Sequence, residues 1–542
     1  MLRQWGASMK KRFSWPVVIL CVIGGILLGT QVPALFSGDN VIQQSQKLLE
    51  VLNTTVKNYV DPVDTQKLVE AAVNGMLGSL DPHSVYIPPE QMKKVTEDFQ
   101  GSFEGVGIEF SVVNDTITVV QPIGGGPSAL VGILSGDKIV KIEGKSSIGF
   151  NNDQVMKALR GPKGTKVSVT IVREAVKEPL EFGIIRDKIP LYSVDVAIMV
   201  NNEVGYISVN RFAQTTHDEI VKAIETLRGQ GMKELILDLR ANPGGYLDQA
   251  VLAADEFLPA GKKIVYTKGR RDEFDEQHFS DGAGKAQDIP LVVLISRFSA
   301  SASEILAGAV QDWDRGLIVG ETSFGKGLVQ RQYPLNDGSS FRLTIARYYT
   351  PSGRLIQRPY SIGKSSYIAD AMKRDEIEGE NITHSEERDS TRPVYKTAGG
   401  RTVYGGGGIT PDYIVKSDSV TPLSESLIRK NIFYEYTVSG MGNALAEIRD
   451  RYQSKFPDFR DQFRFNDAQM RDFLRYARGK GVEIKEDQYT RDRKFIEARL
   501  KATLARSLWG NDGWYSIMLL EDNQFEKAMT LFPEAKKIAG LR

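Results

Sequence analysis

A run of serines and a nearby lysine are the residues of this sequence whose types and spacing could support catalysis. Residues 299–304 read Ser-Ala-Ser-Ala-Ser-Glu, and Lys326, which lies between two glycines, follows Ser301 by 25 positions (326 − 301). A serine hydroxyl becomes a useful nucleophile only when a neighbouring base takes its proton. A lysine can be that base where burial lowers its pKa from about 10.4 toward roughly 7–8. The serines could equally cap a helix and the lysine be solvated, so these residues alone leave both interpretations open.

Composition restricts the choice of base and of partner. None of the histidines lies in a motif typical of a catalytic base; they are His83, His217, His278 and His384. The single cysteine, Cys21, excludes an internal disulfide framework and a cysteine-rich metal site. Lysine plus arginine number 69 against 68 acidic residues, so no basic excess indicates a nucleic-acid partner. The chain length of 542 residues predicts three or four domains on the usual prior.

Two strand-turn-helix units are expected to position the serine run. Residues 291–295 are a continuous apolar run typical of a buried strand, and residues 305–310 predict a helix packed behind it. Upstream, the apolar strand 235–239 leads through a Pro-Gly-Gly turn at 243–245 into a predicted helix at 247–257. Helix N-termini and such turns present backbone N–H groups to an anion. The glycine turn is therefore either half of an oxyanion hole or an ordinary tight turn.

Four segments between residues 100 and 187 follow the order of the elements of a PDZ domain, which this region resembles. The segments are 105–110, 132–142, 152–159 and 166–173. A PDZ domain captures a peptide as an added strand at its sheet edge, while N–H groups of a loop hold the terminal carboxylate. The residues in that loop position here are Gly105, Val106, Gly107 and Ile108.

Six short motifs occur in one order from about residue 40 to 418. They are Leu-Asp-Pro-His-Ser at 80–84, the PDZ segments, Asp-Leu-Arg-Ala-Asn-Pro-Gly-Gly at 238–245, the serine run, Gly-Lys-Gly at 325–327 and Gly-Gly-Gly-Ile-Thr-Pro-Asp at 406–412. Jointly they resemble the carboxyl-terminal processing (tail-specific) proteases. The resemblance implies a multidomain α/β fold with a mixed-sheet protease core of the ClpP/crotonase type, an inserted PDZ domain, a helical N-terminal region and a helical C-terminal appendage.

The resemblance also implies roles for individual residues. Ser301 would be the nucleophile, Lys326 its general base and Gln330 the residue that orients the amine. The N–H groups that would stabilise the oxyanion are those of Ala302 and of Gly244 or Gly245. The implied activity is that of a serine endopeptidase that recognises protein C-terminal tails and uses no metal and no organic cofactor.

These segments set the expected domain boundaries. They are a cytoplasmic basic stub and anchor at 1–36, a helical region at 37–99, the PDZ domain at 100–187, the protease core at 188–352 and 402–418, a polar insertion at 353–401 and a C-terminal helical domain at 419–542. We expect the insertion to be a solvated excursion rather than a lid over the groove. The C-terminal helices suit dimerisation, substrate gating or partner binding, and their residues select none of these.

The N-terminus carries a targeting pattern. Arg3 and the basic residues at 10–12 precede an apolar run at 15–28 that continues more weakly to residue 36. This pattern predicts an uncleaved signal anchor in the inner membrane of a bacterial cell envelope, with the catalytic part periplasmic. The membrane is therefore one expected partner. The other expected partners are protein or peptide substrates with free C-termini, a possible second copy of the chain and a possible regulatory protein. No nucleic-acid partner is expected.

Two other functions compete with the protease. Residues 320–326 spell the first seven positions of a phosphate-binding loop, but the next residue is Gly327 where serine or threonine is required. Residues 328–333 then alternate like a strand, whereas a phosphate-binding loop opens a helix. A nucleotide hydrolase therefore ranks far behind. The other alternative is a non-catalytic PDZ scaffold on a degenerate protease core, against which the intact serine, lysine and glutamine argue.

Overall fold

The computed structural model describes residues 41–173, 176–360, 364–374, 376, 378–382 and 392–541. Contacts divide the chain into two units, Met1–Ser79 and Leu80–Arg542. The helices described in the first unit are α1 (Val41–Asn58) and α2 (Thr65–Gly78). Asp64 caps α2, because its carboxylate accepts the Lys67 N–H at 3.2 Å.

The predicted membrane anchor is a point of correction. Residues 1–36, on which that prediction rested, lie outside the described residues. Within the described ranges, no helix combines the length and the apolar character needed to cross a membrane. The first long helix, α1, interrupts its apolar positions with charges at Lys47, Glu50 and Lys57. This contradicts the predicted single-pass localisation with a periplasmic catalytic part, which we do not retain.

The second unit begins with the PDZ region. The elements of residues 85–190 are β1 (Val85–Ile87), α3 (Pro89–Gln100), β2 (Ser102–Gly105), β3 (Ile108–Val113), β4 (Thr116–Pro122), α4 (Pro127–Leu130), β5 (Lys138–Ile142), β6 (Lys145–Ser146), α5 (Asn152–Leu159), β7 (Lys166–Val172), β8 (Leu180–Ile185) and β9 (Asp187–Pro190). The sheet order is β3-β4-β5-β7-β8, so β3 lies at an edge. Val167, Val169 and Ile171 alternate along β7 and are fully buried, as expected for a strand over a core.

The protease core is a mixed sheet with helices. The elements of residues 194–349 are β10 (Val194–Met199), β11 (Val204–Val209), α6 (Thr216–Gly229), β12 (Glu234–Asp238), α7 (Leu247–Asp255), β13 (Lys263–Gly269), β14 (Gln277–Phe279), β15 (Leu291–Ile295), α8 (Ala302–Asp312), β16 (Leu317–Gly320), β17 (Leu328–Pro334) and β18 (Ser340–Tyr349). The strands β11, β12, β15 and β16 are parallel neighbours, and β10 joins β11 antiparallel. Every residue of β15 is buried, which is typical of a parallel strand covered on both faces.

Two further groups of elements complete the chain. The elements of residues 364–538 are α9 (Lys364–Met372), β19 (Gly379–Glu380), β20 (Val394–Lys396), β21 (Thr402–Tyr404), β22 (Tyr413–Ile414), α10 (Pro422–Arg429), α11 (Ile432–Glu435), α12 (Asn443–Tyr452), α13 (Phe456–Gln462), α14 (Asp467–Gly479), α15 (Glu486–Met518), α16 (Asn523–Met529) and α17 (Phe532–Ile538). The strand β22 pairs with β16 and carries β19, which brings the core sheet to seven strands. In a separate antiparallel sheet, β18 pairs with both β13 and β17.

The C-terminal helices belong to two different cores. Helices α10 to α15 share a hydrophobic cluster of their own, and α15 is interrupted at Gly510, whose φ is 64°. The last two helices instead cover the protease sheet, where Phe525 and Phe532 pack with Val292 and Leu294. Helices α6, α7 and α8 cover the opposite face of that sheet. The multidomain α/β fold class is confirmed, although the end of the chain is part of the core layer rather than only an appendage.

Candidate active site

The serine run is held in its turn by hydrogen bonds to the neighbouring loop. The Ser299 hydroxyl donates to the Leu239 carbonyl at 2.8 Å, and the Ser303 hydroxyl donates to the Asn242 carbonyl at 2.9 Å. Ser301 lies between them at the start of α8 with a φ of 55°, an unfavourable backbone angle for a residue other than glycine. Such strain is concentrated at functional sites because the surrounding structure must enforce it. The two flanking serines anchor the turn, and Ser301 lines a cavity.

The glycine turn lies directly against this serine. A Cβ on Gly244 would be 2.8 Å from the Ser301 Cβ, and a Cβ on Gly245 would be 2.0 Å from the Phe212 carbonyl oxygen. Both positions therefore require glycine for close approach as well as for their positive φ. The Gly244 N–H donates to the Asn242 side-chain oxygen at 2.9 Å. Among the described residues, the N–H groups of Gly245 and Ala302 have no acceptor.

Lys326 begins a chain of hydrogen bonds that ends in the Leu-Asp-Pro-His-Ser segment. Its Nζ donates to the Gln330 side-chain oxygen at 2.8 Å, and the Gln330 amide in turn donates to the His83 carbonyl. The Asp81 carboxylate accepts the backbone N–H of His83 at 2.7 Å and that of Ser84 at 2.8 Å, which fixes the segment. The 80–84 segment therefore has a structural role: its His83 carbonyl holds the Gln330 side chain in place, and His83 does not act here as a metal ligand.

The environment of the lysine favours its neutral amine. Burial lowers the pKa of Lys326 to about 8, and the guanidinium of Arg342 contributes to the lowering. The carboxylates of Glu304 and Asp81 act in the opposite direction. A lysine with a pKa near 8 holds a useful fraction of free amine at neutral pH, as a general base must.

Glu304 joins the serine turn to the lysine loop. Its carboxylate accepts the N–H groups of Ser301 at 2.7 Å, Gly325 at 2.6 Å and Lys326 at 2.9 Å, and the Ser323 hydroxyl at 2.5 Å. Burial raises the pKa of Glu304, and these four bonds oppose that rise. The sequence alone assigned no catalytic role to this residue. The sequence feature that could have predicted the bond to the Ser301 N–H is the position of Glu304 three residues after Ser301, which is the spacing of a capping box.

A tyrosine makes a second connection between the same two segments. The Tyr348 hydroxyl lies 3.0 Å from the Ser301 carbonyl oxygen and 2.7 Å from the Lys326 carbonyl oxygen. Its phenol is fully enclosed, and burial raises its pKa well above the ordinary value, so it remains a neutral donor. Tyr348 was missed because it lies 47 positions from Ser301, and no local spacing connects residues so far apart in the chain.

The polar insertion is attached to the lysine loop. Arg374 donates to the carbonyls of Ser323 at 2.8 Å and Phe324 at 2.9 Å. Glu376 accepts the Thr322 N–H at 3.0 Å, and Arg358 donates to the Phe324 carbonyl. The expectation of a solvated excursion is wrong for these described residues, because each of them bonds to the loop that carries Lys326.

One cleft of about 840 Å³ brings the predicted protease residues together. Its lining includes all six of them, namely Gly244, Gly245, Ser301, Ala302, Lys326 and Gln330. Residues of helix α3 and Arg342 also line this cleft. The strand β17 directly follows the lysine loop, so the residues after Lys326 do not form the helix that a phosphate-binding loop requires.

The predicted carboxylate-binding loop lies elsewhere, between β2 and β3. Gly107 has a φ of 74°, and its carbonyl accepts the Ile123 N–H at 2.9 Å. The Val106 carbonyl accepts both the N–H and the hydroxyl of Ser128. Gly105 pairs with Asp187 at the end of β2, and Ile108 opens the edge strand β3. None of the four loop residues lines the protease cleft.

Comparisons with known proteins agree with this arrangement. The matching family models are peptidase family S41 over residues 203–362, the PDZ domain over 94–172, the activating protease CtpB N-terminal domain over 34–91 and a family of unknown function over 423–510. The fold, the site and these matches define a serine-type peptidase that carries a PDZ domain.

Two relatives identify the family of peptidases to which the chain belongs. A carboxy-terminal-processing protease of Bartonella bacilliformis is 42% identical over 323 residues, which cover 59% of this chain and 74% of that protein. The carboxy-terminal processing protease CtpA of Bacillus subtilis is 36% identical over 328 residues, with coverages of 59% and 68%. The chain belongs to the family of carboxy-terminal processing proteases, so the family and the enzyme class predicted from the sequence are confirmed.

Two solved structures are also similar to this chain. The photosystem II D1 C-terminal processing protease is 30% identical, with coverages of 56% of this chain and 82% of that chain and a TM-score of 0.33. A PDZ domain of a carboxy-terminal protease from Vibrio cholerae, in complex with a peptide, is 32% identical, with coverages of 17% and 99% and a TM-score of 0.16.

Proposed function

We propose that this peptidase cleaves proteins by acyl-enzyme chemistry with Ser301 as nucleophile and Lys326 as general base. The observation that carries the proposal is the amine of Lys326, which has a lowered pKa, bonds to Gln330 and lines the same cleft as Ser301. A buried lysine whose amine makes no ion pair with any residue that the structure describes suits a base rather than a structural cation.

The proton and the acyl group then follow a simple course. Lys326 Nζ takes the proton of the Ser301 hydroxyl as its oxygen attacks the substrate carbonyl, and the N–H groups of Ala302 and Gly245 stabilise the oxyanion. Gly244 is the weaker candidate for this role because its N–H already donates to Asn242. The lysine passes its proton to the leaving amine and then activates a water that hydrolyses the acyl-enzyme.

Substrate selection is assigned to the PDZ domain. An extended tail adds to the free edge of β3, and its terminal carboxylate is held by N–H groups of the loop from Gly105 to Ile108. This loop supports the assignment because it leads directly into the edge strand. The tail is expected to end in small or apolar residues, since Ile108, which opens this strand, is apolar and packs against the PDZ core. A homo-oligomer and a regulatory partner protein stay predictions.

The catalytic proposal is tested with the full chain and an unfolded substrate that has an apolar C-terminus. The Ser301→Ala and Lys326→Ala variants should each lower kcat/KM by about 10³-fold or more, because either loss disables the nucleophile. Lys233→Ala, which removes an exposed lysine just before β12 and outside the cleft, is the matched control and should retain full activity. Cleavage at an unchanged rate by both variants would overturn the assignment of Ser301 and Lys326, whereas absence of cleavage by the unsubstituted chain would favour the non-catalytic scaffold.

A further inference from the structure

The outer edge of β3 is bounded by more than the PDZ domain. Among the described residues, β3 pairs only with β4, so its other edge is free. Residues 110–112 of β3 line one cavity with Asn151 and Asn152 at the start of α5, and we call the space between β3 and α5 the groove. Helix α5 ends near the carboxylate loop, because the Arg160 Cα lies 3.5 Å from a Cβ built on Gly105. Its first residues, Asn151 and Asn152, therefore lie at the end of the groove that is far from that loop.

The C-terminal helices are seated along the same strand. Arg506 of α15 forms an ion pair with Glu109 at 3.1 Å. The Asn431 side chain donates to the Ser111 hydroxyl at 3.2 Å. Lys480 donates to the Asn114 side-chain oxygen at 2.7 Å, at the turn where β3 ends. These three contacts fix the C-terminal helices at successive points along β3 and its following turn.

The far end of the groove consequently has a wall from outside the PDZ domain. A cavity of about 430 Å³ is lined by Phe110 to Val112 of β3, by the start of α5, and by Arg429, Lys430 and Asn431 with Glu435. We name residues 429–431 the basic turn; they are the last residue of α10 and the two residues that connect it to α11. A tail that adds to β3 must pass this turn before it leaves the groove.

The charge of this wall favours an acidic side chain. Arg429 is exposed, and no carboxylate among the described residues pairs with it. Lys430 donates to the carbonyls of Lys480 and Gly481, which leaves its charge uncompensated. The one carboxylate of the lining, Glu435, is already paired with Lys480 at 2.8 Å. The positive end of the α5 dipole points into the same space.

We infer that the basic turn is a second recognition site for the substrate tail and selects an aspartate or glutamate upstream of its C-terminus. The inference rests on the proposed capture of tails by the PDZ domain. If the terminal residue lies beside Ile108, antiparallel pairing places the residue about two positions earlier beside Phe110 and the one about four positions earlier beside Val112. The acidic residue is therefore expected about four positions before the terminus.

The test measures binding of fluorescent ten-residue peptides to the full chain carrying Ser301→Ala, by anisotropy at low salt. Peptides that differ only in glutamate, alanine or lysine at the fourth position before the terminus are compared. Glutamate should bind about threefold more tightly than alanine, and lysine more weakly, as an exposed ion pair allows. The preference should fade as salt is raised.

Variants of the basic turn supply the decisive comparison. Arg429→Glu should reverse the preference and Arg429→Gln should abolish it, while Arg471→Glu, an exposed arginine on α14 that lies outside the cavity, should leave it intact. Equal binding of the three peptides, or an equal effect of Arg471→Glu, would overturn the inference. Peptides with an amidated C-terminus separate tail capture by the PDZ domain from selection by the basic turn. If amidation weakens binding while the fourth residue has no effect, the PDZ domain captures tails but the basic turn does not select among them. If amidation has no effect, tail capture itself fails.

Discussion

The serine turn and the lysine loop meet in one cleft but are built in different ways. Ser301 sits between a buried parallel strand and a fully buried helix, and its neighbours bond to the adjacent turn. Lys326 lies on a loop without regular structure, and side chains from distant parts of the chain hold it. Regular elements thus position the proposed nucleophile, whereas individual side-chain contacts position the proposed base.

This difference has an energetic consequence. A strand and a helix share their stability with the whole core, so a single substitution moves the serine turn little. The lysine loop depends on a few bonds from Glu304, Tyr348, Arg358 and Arg374, and losing such bonds deprives backbone carbonyls and N–H groups of the loop of their partners. We therefore expect the base to be disturbed more readily than the nucleophile.

The Glu304→Gln variant should produce the largest effect because it acts on both regions at once. A glutamine offers one oxygen in place of two and directs an NH₂ group at donors, so backbone N–H groups of the serine turn or the lysine loop lose their acceptor. We expect kcat to fall about 10²-fold or more and unfolding free energy to drop by about 2–4 kcal/mol. Peptide cleavage and denaturant unfolding measure the two quantities.

Glu256→Gln is the matched control for that experiment. Glu256 is also buried, and it accepts the Lys285 N–H and contacts His217, far from the cleft. This control should lose stability while kcat is retained. An equal loss of kcat in both variants would show that Glu304 acts only through overall stability.

Arg374→Ala should have an intermediate effect that is confined to the base. The substitution removes the bonds to the Ser323 and Phe324 carbonyls and leaves every contact of the serine turn in place. We expect about a tenfold loss of kcat on short peptides and a similar loss in labelling of Ser301 by a fluorophosphonate, because Lys326 would be the base for both reactions. Arg186→Ala removes a similar carbonyl clamp inside the PDZ domain and should leave kcat on short peptides unchanged. Full kcat in Arg374→Ala, or an equal loss in Arg186→Ala, would contradict the comparison.

The same contrast explains what the sequence could and could not predict. The strand-turn-helix around Ser301 follows from local periodicity. The neighbouring turn requires glycines, because a Cβ added at either position would lie 2.8 Å or less from neighbouring atoms. The contacts of Arg374 and Tyr348 join segments that are distant in the chain, and no local spacing encodes them. The two last helices were likewise interpreted as an appendage, because amphipathic spacing indicates an apolar face without indicating which surface it covers.

A finer instance concerns the choice between the two glycines of the oxyanion turn. Gly244 and Gly245 are equivalent in a sequence motif, since both supply a flexible backbone and an N–H group. The side chain of Asn242 breaks the equivalence by accepting the Gly244 N–H. A competition between a side chain and a ligand for one donor depends on rotamer and distance, which residue order does not specify.

The pH dependence of cleavage gives the smallest and sharpest test of how the base is tuned. Lys326 must be neutral to accept a proton, so kcat/KM should rise about tenfold per pH unit at low pH and level off above its pKa of about 8. The Arg342 guanidinium lowers this pKa by repelling the protonated amine, and its removal in Arg342→Gln should raise the pKa. The profile should therefore shift to higher pH, with a few-fold loss of rate at pH 7 and none on the plateau.

Arg331→Gln, on the neighbouring strand, removes an exposed charge of the same kind and should leave the profile in place. A profile that stays fixed in Arg342→Gln, or shifts to lower pH, would mean that burial alone tunes the base.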